Sequence, residues 1–191
     1  MRGDWIHLCI DMQGMFAEDT PWHVPWMASV SPAVVEVAGR HLEKTVFTRF
    51  VPPTSLAEAT GMWKEYYRKW ETMTLGKMDV RLVDVIPELA RFIPPARTFD
   101  KMTYSPWVDG RLHRILQAEG VGTLAITGGE TDVCVLSAVL GAIDLGYAVK
   151  LLSDAVCSGA DETHDATLQL LGERFSVQVE VLTTEEFLQG L

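Results

Sequence analysis

Residues 123–152 read TLAITGGETDVCVLSAVLGAIDLGYAVKLL, and this stretch decides the fold. Thr123–Thr127 is a short apolar run of strand character, cut off by Gly128-Gly129. Thr131–Leu145 is nearly all apolar and reads as a helix stopped by Gly146, after which Ala148–Leu152 reads as another strand. Working outward, Ile6–Ile10, Thr45–Phe50, Arg97–Phe99 and Gln178–Leu182 supply four more strands. Between them lie segments of helical period. Pro32–Leu42 has Ser31 as N-cap and Pro32 in its first turn. Leu56–Glu71 is amphipathic and rich in aromatics, and Gly110–Ala118, Glu162–Arg174 and Thr184–Leu188 complete the set. Leu82, Val85, Ile86, Leu89, Phe92 and Ile93 also keep helical spacing, although Pro87 can sit only near a helix start. Strands alternating with helices predict an α/β fold: one three-layer α/β/α domain over 1–191 with a mostly parallel six-stranded sheet.

Composition bounds the function. A chain of 191 residues buries roughly 70% of its unfolded surface and needs no disulfide or metal to fold. Apolar residues are 48% and charged residues 22%, which is ordinary globular usage. Sixteen Lys and Arg against 26 Asp and Glu leave a net charge of −10, with no basic cluster, so nucleic-acid partners are not expected. Cys9, Cys134 and Cys157 are odd in number, far apart and without a CxxC pair, which suits a reducing compartment. With no signal peptide or long apolar run in view, the expectation is a cytoplasmic protein without a membrane partner. Gly120-Val121-Gly122-Thr123-Leu124-Ala125 fits a loose G-x-G-x-x-A pattern, but it precedes a strand and cannot seat a pyrophosphate on a helix start.

In open parallel sheets, ligands bind outside the carboxyl ends of the strands. Three residues of complementary chemistry fall at such ends: Asp11, Lys101 and Cys134. Cys134 lies in the first turn of an expected helix, and Lys101 would add a cation, so a lowered thiol pKa is expected. Asp11 can act as general base, and the peptide N–H groups of Glu130 and Cys134 can hold an oxyanion. Each residue also has a plain reading: a buried small hydrophobe, a turn residue and a surface lysine.

The segments Cys9-Ile10-Asp11-Met12-Gln13, Phe99-Asp100-Lys101 with Tyr104-Ser105-Pro106-Trp107, and Gly128-Gly129-Glu130-Thr131-Asp132-Val133-Cys134-Val135 resemble the isochorismatase-like cysteine hydrolases. That superfamily includes nicotinamidases, N-carbamoylsarcosine amidases and biuret- or triuret-type hydrolases. The resemblance runs from about Ile6 to Leu182 and takes in Ala142–Tyr147 and Ser153-Asp154-Ala155. It implies a Rossmann-like fold, an Asp11–Lys101–Cys134 triad, a cis peptide at Gly129–Glu130 and a homo-oligomer, dimer or tetramer. The implied activity is hydrolysis of a C–N bond in a small amide, carbamoyl or ureide substrate through a Cys134 thioester. Two alternatives stand beside it: a vinyl-ether hydrolase using Asp11 alone, and a non-catalytic binding module of the same fold.

The chain also departs from the pattern it resembles. Nicotinamidases carry an aspartate and histidines after the second strand that bind a metal, whereas Val46–Pro53 here has no histidine or acid. His7, His23, His41, His113 and His164 show no close ligand spacing, so neither metal nor cofactor is expected. Phe16, Trp22, Trp26, Tyr104 and Trp107 lie near the motifs and are candidate pocket walls. Met62, Trp63, Tyr66, Tyr67 and Trp70 suit a lid, a subunit contact or plain core. Gln13 and Arg49 are the candidates for orienting substrate, and Arg49 would favour a carboxylate or carbonyl-rich compound. Cys9 and Cys157 are expected to be inert.

Overall fold

The structure, a computed structural model, describes residues 4–191; residues 1–3 of the expected domain lie outside the described part. In chain order the elements are β1 (Asp4–Ile10), α1 (Gly14–Ala17), α2 (Met27–Arg40), β2 (Thr45–Phe50), α3 (Met62–Lys69), α4 (Pro87–Ala90) and β3 (Arg97–Lys101). They continue with α5 (Arg111–Ala118), β4 (Val121–Gly129), α6 (Leu136–Asp144), β5 (Ala148–Cys157), α7 (Asp161–Arg174), β6 (Val179–Leu182) and α8 (Thr184–Gln189). The sheet order is β3-β2-β1-β4-β5-β6, and every neighbouring pair is parallel. Successive strands step outward from β1 and then return to its other side at β4. That reversal opens a crevice at the strand ends between β1 and β4.

A strand covered on both faces must be apolar on both, with alternate side chains feeding separate cores. β1 does this: Trp5 and Cys9 join the core under α2 and α8, while Ile6, Leu8 and Ile10 join the core under α5, α6 and α7. His7 is the polar exception. Its ring nitrogens reach Thr45 Oγ1 at 3.1 Å and Thr127 Oγ1 at 2.8 Å, tying β1 to both neighbours. Burial holds its pKa down to about 3, so the ring is neutral.

Three helical segments differ from expectation. α2 begins at Met27, and Pro32 sits inside it on an exposed position, not in the first turn. Met27, Val30, Val34, Val37 and Ala38 give it a continuous buried stripe, and that burial outweighs one missing amide donor. The apolar spacing over Leu82–Ile93 yields no long helix. Pro87 starts the one-turn α4, and Val85 instead bridges Gln13 in antiparallel fashion. Leu56–Glu71 is likewise helical only over Met62–Lys69.

Candidate active site

Asp11 follows β1 directly and takes a left-handed backbone conformation, φ 48°, which aspartate tolerates better than most residues. Its carboxylate is fully buried and held at both oxygens. Thr48 on β2 donates its hydroxyl to Oδ1 at 2.6 Å and accepts the Asp11 N–H at 3.1 Å. Lys101, the last residue of β3, reaches across β2 and donates from Nζ to Oδ2 at 2.6 Å and to the Thr103 carbonyl at 3.0 Å. The ammonium also stands 5.2 Å from the centroid of the Phe50 ring. Side-chain exposures of 3% and 0% make this a dry ion pair.

Cys134 comes from the other side of the crevice. β4 ends at Gly128-Gly129, and at the first of these only glycine fits. Gly128 has φ 106°, and a Cβ on it would lie 2.0 Å from the Ile10 carbonyl oxygen. The Gly129–Glu130 peptide is cis. A π-helical turn, Thr131–Val135, then leads into α6 and carries Cys134 toward Asp11. The Glu130 carbonyl accepts the N–H groups of Val133 at 3.1 Å and Val135 at 3.0 Å, two bonds that straddle the cysteine.

The thiol does not have the lowered pKa expected of a cysteine beside a lysine. Burial pushes it well up, Asp11's negative charge and hydrogen bond add to that, and the opposing pull of Lys101 is smaller. The ammonium is already matched by Asp11, so the resting group is a thiol facing a carboxylate.

Cys134 and Val133 form part of the wall of a cavity of about 280 Å³. Phe16, Trp22, Tyr66, Trp70 and Tyr104, all singled out from sequence, line it. Phe50 and Glu130 line it as well, with His23 and Pro21 exposed at its rim. Tyr66 on α3 and Trp70, the residue just after it, therefore cover the cavity within one chain.

Other expected site residues lie elsewhere. Gln13 is buried and its amide is spent on the backbone, donating to Phe50 O and Val83 O and accepting the Phe50 N–H. Arg49 forks onto Asp100 at 2.7 and 2.9 Å and reaches Asp84 at 3.2 Å, away from the cavity. Trp107 packs beneath α6, stacked on Tyr147 and donating to the Ala138 carbonyl at 2.8 Å. Trp26 lies against His164. Thr48 and Phe50 were missed because a hydroxyl and a ring on a β-strand carry no signal until the strand is known to lie beside β1. Among the described residues no three His, Cys, Asp or Glu side chains converge as metal ligands, and no helix is long and apolar enough to cross a membrane.

A doubly wound parallel sheet with a cysteine, an acid and a lysine meeting at its switch point defines a class, and comparison with known proteins supplies the family. The isochorismatase domain matches residues 6–186. This chain belongs to the isochorismatase family. The uncharacterized isochorismatase family protein YwoC of Bacillus subtilis is 29% identical over 114 residues, 60% of this chain and 58% of that protein. The chain thus matches little more than half the length of that curated relative. Among solved structures, a cysteine hydrolase from Pseudomonas syringae pv. phaseolicola superposes with a TM-score of 0.84 at 22% identity, covering 97% of this chain and 91% of the other. An N-carbamoylsarcosine amidase from Thermoplasma acidophilum has a TM-score of 0.75 at 18% identity, with 95% and 96% covered. At such identities the superpositions speak for the fold.

Proposed function

We propose that the protein is a cysteine amidohydrolase that cleaves a C–N bond of a small amide, carbamoyl or ureide compound through a thioester to Cys134. The observation that carries this reading is the Asp11 carboxylate, fixed at both oxygens by Thr48 and Lys101 and set against the Cys134 thiol at a cavity wall. Because the resting sulfur is protonated, activation is coupled to attack. As Sγ bonds to the substrate carbonyl carbon, its proton passes to Asp11. Negative charge moves onto the carbonyl oxygen, where the Glu130 and Cys134 N–H groups receive it. Asp11 returns the proton to the departing nitrogen, the C–N bond breaks, and ammonia or an amine leaves. Water then gives a proton to Asp11 and attacks the thioester, which frees the acid and restores the thiol. Lys101, hydrogen-bonded to Asp11 Oδ2, keeps that carboxyl group in place as the proton comes and goes.

Hydroxylamine tests the covalent step. Added during turnover, it should divert the acyl group to a hydroxamate in the wild-type protein, and no hydroxamate should form in Cys134→Ala. Turnover that persists in Cys134→Ala and yields no hydroxamate would overturn the thioester and transfer the chemistry to Asp11.

A further inference from the structure

We propose that the cavity beside Cys134 selects substrates whose non-reacting end is positively charged, an ammonium or amidinium held by aromatic rings with the Glu130 side chain as counter-ion. This deepens the amidohydrolase reading and rests on it for the identity of the reacting end.

The argument begins with the charges at the wall. Glu130 is the acid among the lining residues, and no lysine or arginine joins it there. Both nearby cations are already matched: Lys101 by Asp11 at 2.6 Å, and Arg49 by Asp100 and Asp84 outside the cavity. Glu130 itself forms no ion pair among the described residues; the backbone N–H of Gly159 is what supports its carboxyl. Its proton is held more tightly than usual, first by burial and then by the negative charges of Asp132 and Asp11. A carboxylate on the substrate would therefore face the Glu130 carboxyl with no lysine or arginine in the wall to receive it, the imidazole of His23 standing out at the exposed rim. A cation would supply the missing counter-charge. The net charge of −10 adds attraction of the same sense at longer range.

The rest of the wall suits a cation too. Two stacked pairs stand around the opening, Phe16 with Trp22 at 6.1 Å between centroids and Phe50 with Tyr104 at 6.5 Å. Trp22 also lies 5.9 Å from Tyr66. Burial pushes the Tyr66 and Tyr104 phenols up, so these rings stay neutral and keep their electron-rich faces. Ring faces of this kind attract ammonium groups, tryptophan most strongly. A volume of about 280 Å³ lies at the small end of ligand sites, so the cation and the scissile amide must belong to one compact molecule.

An isosteric pair isolates the charge. Trimethylammonioacetamide and 3,3-dimethylbutanamide have the same shape, the first with N⁺ where the second has carbon, and malonamate supplies the anion. Each is titrated against Cys134→Ala, with tryptophan fluorescence as the readout, since Trp22 and Trp70 line the cavity. The cation should bind at least about tenfold tighter than its neutral isostere, and malonamate more weakly than either. Adding Glu130→Gln should reduce the cation-to-neutral ratio severalfold, and because both ligands meet the same variant, general damage cancels in the ratio. Equal or weaker binding of the cation overturns the proposal, as does a ratio that Glu130→Gln leaves unchanged. Ammonia release by wild type is scored separately. A cation preference without turnover of any amide would overturn the amidohydrolase reading and leave charge selection standing. Turnover without the preference would do the reverse.

Discussion

Replacing Thr48 by valine removes one hydroxyl and almost nothing else, yet that hydroxyl is used twice. It donates to Asp11 Oδ1 at 2.6 Å and accepts the Asp11 N–H at 3.1 Å, between residues that are both fully buried. Losing a hydrogen bond to a charged group costs about 1.5–3 kcal/mol, and leaving a buried amide unsatisfied adds about 1–3 kcal/mol. Valine fills the same volume, so no cavity admits water to compensate. A destabilisation of about 3–5 kcal/mol follows, and for a domain of this size each kcal/mol lowers the melting temperature by about 2–4 °C. Thermal unfolding followed by circular dichroism should therefore show a drop of at least about 6 °C in Thr48→Val. Thr48→Ser keeps the hydroxyl and loses one buried methyl, so it should recover most of that drop. Activity should fall in the valine variant as well, because the base is then held by Lys101 alone. A valine variant melting within about 2 °C of wild type, or a serine variant as unstable as the valine one, would refute the role assigned to Thr48.

Three further expectations come from the same geometry. Asp11→Asn removes an anion that raises the Cys134 thiol and leaves Lys101 to lower it, so iodoacetamide should alkylate Cys134 faster at pH 7 in this variant than in wild type while hydrolysis is lost; slower alkylation would contradict the coupling. Buried neutral His7, held at about 3 against 6.5 when unfolded, binds fewer protons folded than unfolded between those values. Its effect is stabilising relative to acid: stability is full above pH 6.5 and falls by roughly 1 kcal/mol per pH unit as pH drops toward 3. His7→Gln should flatten that part of the urea-unfolding profile against pH, and an unchanged slope would dismiss His7 as its source. Gly128→Ala would place a Cβ 2.0 Å from the Ile10 carbonyl, so β4 must shift against β1. The variant should lose more than about 4 kcal/mol or fail to fold, and a wild-type melting curve would contradict the close approach.

The strand–glycine–helix pattern of residues 123–152 and the three strand-end residues were legible because they depend on local periodicity and on a general property of parallel sheets. The six-stranded parallel sheet and the family follow from them and are found in the structure and the comparisons, whereas the strand order comes from the structure alone. Partner choice was not legible. Gln13 and Arg49 are polar residues near the motifs, but their hydrogen bonds go to Val83, Asp84 and Asp100, residues far off in sequence. Trp107 has the composition of a pocket wall and the position of a wedge: Gly141 on α6 leaves room for its ring, which a Cβ there would meet at 2.3 Å. The direction of the Cys134 shift was misjudged for a related reason. Proximity to Lys101 is readable from strand ends, but the depth of burial and Asp11's hold on that ammonium are tertiary facts. The short helix at Pro87 marks where one proline overrides six well-spaced apolar residues.

Ammonia release from a panel of small amides and ureides, with wild type and Cys134→Ala run side by side, tests the central claim most directly. The account predicts turnover of at least one cationic or neutral member by wild type and none by Cys134→Ala. Equal turnover by the two proteins would contradict it.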